Sequence, residues 1–156
     1  MAVERMVRNA SDNKYLHRDF HNILNLGIEY LRVNYGEESV KEYLRQFTNA
    51  FYAPLKERIA SEGLGAVKEH FSGIYEAEEA LDVISFEGGM DELTIHVARC
   101  PAVSHMRASG VEASPAFAET TRVIGEALCE GTPYVYELIS YNDADGASAQ
   151  RFRRKG

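Results

Sequence analysis

Apolar residues recur at helical spacing from Tyr15 to Asn34: Leu16, Phe20, Ile23, Leu24, Gly27, Ile28 and Leu31 form a stripe opposite Arg18, Asn22, Asn25, Glu29 and Arg32. Gly36 reads as a stop. The acidic pair Glu37 and Glu38 suits a second helix start, and a stripe of Val40, Tyr43, Leu44, Phe47 and Phe51 follows until Pro54 breaks it. A short helix through Leu55 and Ile59 reaches Gly63, and a fourth with Val67, Phe71, Ile74 and Tyr75 runs toward the acidic stretch 76–79. After Ala80 the period shortens. Leu81–Glu87 and Glu92–Arg99 alternate as strands around the turn Gly88-Gly89-Met90-Asp91, and Tyr134–Tyr141 faces Ala147–Arg154 across a turn ending in Asp145-Gly146. Between these hairpins lie a short helix, Pro101–Ser109, and a longer one, Pro115–Glu130. The pattern predicts an α+β fold, with N-terminal helices packed on a sheet of about four antiparallel strands and the longer helix crossing between hairpins.

A chain of 156 residues with 45% hydrophobic content suits one domain over 1–156: a flexible N-terminus at 1–14, a helical half at 15–80 and a mixed half at 81–154. The net charge of −7 argues against a nucleic-acid partner, and the basic group Arg151, Arg153, Arg154 and Lys155 reads first as a charged strand end. Met1–Asn13 lacks the continuous apolar core of a secretory signal, and no run reaches the length of a membrane span, so the expected location is cytoplasmic with no membrane partner. Cys100 and Cys129 are then expected as free thiols. No βαβ repeat, glycine-rich phosphate loop or serine nucleophile elbow is present.

The candidate chemistry centres on Ala98-Arg99-Cys100-Pro101, where an alternating run meets a proline able to open a helix. A cysteine there faces free N–H groups and the positive end of the helix dipole, which favour thiolate. Cys100 reads first as a small buried hydrophobe at a strand end, since free cysteines are among the most buried residues. His96 would be its proton carrier, but if residues 96–100 are all extended the two lie about 13 Å apart, so the pairing requires a bend at Arg99. Glu137 alternates with Val135, Ile139 and Tyr141, and is either an exposed edge carboxylate or a buried general acid. His17 and His21, four apart on a helix, could share a divalent metal if a third ligand came from His96, His105, Cys100 or Glu137; otherwise they are packing or surface residues.

Arg99-Cys100-Pro101 after a strand, the acid-bearing helix at Phe117-Ala118-Glu119 and the final Gln150-Arg151-Phe152-Arg153 resemble the L-2-amino-thiazoline-4-carboxylic acid hydrolase-like family. The layout matches over roughly 15–154. Ala118 and Gln150 stand where that family commonly carries cysteines. The resemblance implies hydrolytic opening of a C–N bond in a small cyclic or amidine-like substrate, with Cys100, His96 and Glu137 as catalytic candidates and Arg99 or Arg107 holding a carboxylate. A related resemblance, to vinyl-reductase-type sensor domains, implies instead a non-catalytic domain that binds a small molecule. Either function needs a small-molecule ligand; a homodimer and a divalent metal are left open.

Overall fold

The computed structural model describes the backbone of residues 14–156 and the side chains from Arg18 onward, so the expectations for 1–13 and for the His17 side chain lie outside the described residues. Among the described residues, six α-helices and four strands follow in the order α1 (Lys14–Tyr35), α2 (Glu37–Phe51), α3 (Ala53–Glu62), α4 (Leu64–Ala77), β1 (Ile84–Gly88), β2 (Glu92–Val97), α5 (Pro101–Ala108), α6 (Glu119–Cys129), β3 (Tyr134–Tyr141) and β4 (Ser148–Arg154). The sheet order is β1-β2-β4-β3 and every pairing is antiparallel, so the two hairpins join through their second strands. This is the α+β architecture expected from the change of period.

Two expected boundaries move by three residues or more. Leu81–Val83 forms a single 3-10 turn rather than the start of a strand, and the Ala98 N–H donates to the Val83 carbonyl, so β1 begins at Ile84. Pro115–Ala118 forms a tight turn before α6, where the Phe117 N–H donates to the Ser114 carbonyl and the Glu119 N–H to the Ala116 carbonyl. Proline is compatible with both a turn and a first helical turn, which is why the sequence alone merges them.

Leu93, Ile95 and Val97 of β2 and Phe152 of β4 turn to one face of the sheet and pack with Ile59, Val67, Tyr75, Leu128 and Tyr134. A second apolar cluster unites Ile28, Val40, Leu44, Val103, Met106, Phe117 and Val123 from the N-terminal helices, α5 and α6. Ile124 packs on both. Gly125 lets α6 lie against β3, since a Cβ there would overlap the Tyr136 ring.

The buried face of α1 differs from the expected stripe. Ile28 and Asn25 are buried while Phe20, Ile23 and Gly27 are exposed. The cause is polar: Asn25 donates to the Glu112 carbonyl at 3.0 Å and accepts from the Ser114 N–H at 2.7 Å, which fixes the helix with the amide inward and both of its ends satisfied. In α2, Thr48 replaces the expected Tyr43 and Phe51 in the core, because its hydroxyl donates back to the Leu44 carbonyl at 2.7 Å and needs no water.

Candidate functional site

Cys100 caps α5, with extended backbone, Pro101 in the first helical position, and its own N–H donating to the Asp145 carbonyl at 2.8 Å. That bond draws the 142–146 turn against the cysteine. Gly146 fits there only because it has no side chain: its φ is +70°, and a Cβ would overlap the Cβ of Cys100. The Ala102 and Val103 N–H groups are directed at the sulfur and lower its pKa, as expected of a helix start, but burial is the larger influence and the thiol is pushed above its usual range. The expected thiolate is therefore a protonated thiol at neutral pH.

Three groups reach this thiol electrostatically. Tyr75 comes from the last turn of α4, Tyr141 from the end of β3, and Glu78 from the residue that caps α4. Glu79, the next residue, has φ +56°, and the Ala80 N–H returns to the Tyr75 carbonyl at 2.8 Å. This is the left-handed closure of a Schellman motif made without glycine, a conformation that disfavours a side chain by about 1 kcal/mol. It turns Glu78 inward. The Glu78 side chain is 4% exposed, and its Oε1 lies 2.6 Å from Nε2 of His21. The His105 ring of α5 stands 6.4 Å from the His21 ring, and its buried Nε2 has no partner among the described residues. Burial raises the pKa of both tyrosine hydroxyls, so they stay neutral donors.

A groove of about 1000 Å³ adjoins this group, with Tyr141 and Val103 in the wall between them. Its other sides include Glu29, Arg32, Arg107, Ser114 and Phe117. Glu29 is held at a pKa of about 2, first by the Arg32 guanidinium at 2.7 Å and then by the Ser114 hydroxyl, so its charge is neutralised locally. Arg107 donates to the Ala144 carbonyl and also lines a smaller cleft with Arg99 and Asp145.

The remaining expected site residues lie elsewhere. His96 points to the outer face of the sheet, 3.4 Å from Glu87, and is not part of the group around Cys100. The chain does bend after Val97, but the bend carries Cys100 inward and leaves His96 outside. Glu137 is an exposed outer-face carboxylate bonded by Arg151 at 2.8 Å, which answers the two readings in favour of the edge. Arg99 is exposed and 3.6 Å from Asp82. His21 belongs with Glu78, more buried than its helical position implied, and among the described residues no group of three or more His, Cys, Asp or Glu is arranged to hold a metal.

Glu78, Tyr75 and Tyr141 were not singled out as site residues by sequence. Glu78 is one of three glutamates in 76–79, and nothing local distinguishes the one that folds inward. No helix among the described residues is long and apolar enough to cross a membrane. No protein-family model matches the chain, and no curated protein matches it.

The electrostatic arrangement carries a prediction. Glu78→Gln removes a negative charge that disfavours the thiolate, so alkylation of Cys100 by iodoacetamide will begin at lower pH, while burial, the larger influence, still holds the thiol above its usual range. Cys129, pushed by burial up to about 12, serves as the internal reference. Peptide-level mass spectrometry across pH 7–11 distinguishes the two thiols. An unchanged or higher onset for Cys100 would remove Glu78 from its surroundings.

Proposed function

We propose that the chain hydrolyses a C–N bond in a small carboxylate-bearing cyclic or amidine-like substrate. The observation that supports this reading is the convergence of Cys100, the His21–Glu78 pair and the Tyr75 and Tyr141 hydroxyls in one partly buried group beside the groove. Arg107 supplies a guanidinium group for the substrate carboxylate. The resting thiol is protonated, so attack requires a base. In this proposal the Cys100 sulfur bonds to the amidine carbon as its proton passes to the His21–Glu78 pair. The C–N bond then breaks and the departing nitrogen takes that proton. Water cleaves the C–S bond and restores the thiol, consuming one water per turnover. The tyrosine hydroxyls donate to charge that develops during attack.

A cytoplasmic location accords with two unpaired cysteines. The second reading is a non-catalytic domain that binds the same class of molecule, favoured by the raised thiol pKa. Turnover of 2-aminothiazoline-4-carboxylate and related cyclic amidines separates them. Cys100→Ser and His21→Asn are expected to lower kcat at least about 100-fold while Cys129→Ser does not. Binding of the substrate without turnover, or turnover that survives Cys100→Ser, would reject the hydrolase in favour of the binding domain.

A further inference from the structure

Among the described residues, nothing covers one side of helix α1. Phe20, Ile23, Leu26, Tyr30 and Val33 are between 45% and 69% exposed, while Leu24, Ile28 and Leu31 on the other side pack into the chain's own core. Ile23, Leu26, Tyr30 and Val33 are spaced three, four and three residues apart, the interval of a coiled-coil seam rather than of scattered surface residues. Gly27 lies within that seam, in the middle of a 22-residue helix. Its φ is not among the positive values, and a Cβ built on it would meet nothing within 4 Å, so neither backbone conformation nor packing among the described residues requires glycine. Glycine in a helix interior is disfavoured relative to alanine. A close approach by another helix would give it a role.

The seam also has a centre. Phe20 and Val33, Ile23 and Tyr30, Leu26 and Gly27 are placed symmetrically about the midpoint between Leu26 and Gly27. Two copies of α1 laid antiparallel across that point match each large side chain with a different one: Phe20 with Val33 and Ile23 with Tyr30 of the second copy, and Leu26 with the space above Gly27. Self-complementarity of this kind is what a two-fold interface between identical chains requires. Asp19, on the seam's side of the helix toward its N-terminal end, falls opposite Asn34 in this register rather than opposite a second carboxylate. The five apolar side chains expose roughly 550 Å² between them, about two thirds of the ~800 Å² per partner of a stable interface.

We propose that α1 is a homodimer interface, two copies crossing antiparallel at Gly27. The occupant of this face is a second copy of the chain, whatever the reaction at Cys100, because the seam and the Asn25 and His21 side of α1 face opposite ways. Light scattering of the purified chain from about 1 to 100 µM is expected to give a mass near twice 17.5 kDa. Leu26→Glu, an exposed substitution, is expected to give the monomer with an unchanged circular dichroism spectrum, and Gly27→Leu to do the same by blocking the crossing. Register is tested by mild oxidation. Leu26→Cys places the new thiols about one residue apart across the axis and forms a crosslinked dimer, whereas Val33→Cys places them about 20 Å apart and does not. The parent chain controls for Cys100 and Cys129. A monomer at the highest concentration would overturn the proposal and leave the seam for a different partner. A dimer unaffected by Leu26→Glu, or crosslinked equally at both positions, would overturn the assigned interface.

Discussion

Replacing Gly146 by alanine is expected to destabilise the fold by about 2–4 kcal/mol. Two costs combine. The backbone at φ +70° disfavours a Cβ by about 1 kcal/mol, and the added methyl overlaps the Cys100 Cβ, an overpacking worth about 1–3 kcal/mol. Neither atom can rotate away, because each is fixed directly to its backbone. The two backbones are also tied together: the Gly146 N–H donates to the Asn142 carbonyl at 2.7 Å and the Cys100 N–H to the Asp145 carbonyl at 2.8 Å. Gly110→Ala is the control. Gly110 has a similar φ of +73° and nothing within 4 Å of a built Cβ, so its cost should stop near 1 kcal/mol. Urea unfolding of both variants measures the difference. Equal losses would mean that the 142–146 turn does not press on the cysteine and that the thiol is less enclosed than described above.

What the sequence disclosed and what it concealed divide along the distance between partners in the chain. Strand alternation from Glu92 to Val97, the Gly88–Asp91 turn and the Asp145-Gly146 turn are local signals, and they locate both hairpins. Cys100-Pro101 is local too, so the start of α5 is legible. The environment of Cys100 is not. His21 and Glu78 are 57 residues apart, and the thiol's state depends on how deeply the 142–146 turn buries it. A helix-start argument gives the correct direction of one influence, from the Ala102 and Val103 N–H groups, and misses the larger opposing one. The α1 helix fails for a related reason. Its sequence has two apolar sides, Leu24, Ile28 and Leu31 on one and Ile23, Leu26, Tyr30 and Val33 on the other, and periodicity alone does not tell which faces inward. Asn25 decides it, through hydrogen bonds to a loop nearly ninety residues away.

Stability is expected to fall steeply above about pH 9, so that the chain unfolds under alkaline conditions a typical domain survives. Burial raises the pKa of Cys100, Cys129, Tyr75, Tyr136 and Tyr141, with Cys129 at about 12. All five are neutral in the folded chain at pH 7. In the unfolded chain, thiols ionise near 8.5 and phenols near 10. Between those values and the folded ones the unfolded state binds fewer protons, so each rise in pH favours it. The stabilisation is therefore complete below the unfolded pKa and is lost as pH rises toward the folded one. One unit of offset in one group is worth about 1.4 kcal/mol, and five groups acting together are large against a total of about 5–15 kcal/mol. Denaturant unfolding measured from pH 6 to 11 reads this directly, and Cys129→Ala, which removes one of the five, is expected to make the alkaline slope shallower. A curve flat to pH 11 would contradict the burial of these groups. It would also remove the physical basis for treating Cys100, Tyr75 and Tyr141 as neutral hydrogen-bond donors at the pH where the proposed reaction runs, because the enclosure that delays their ionisation is the same one that keeps bulk water from the thiol.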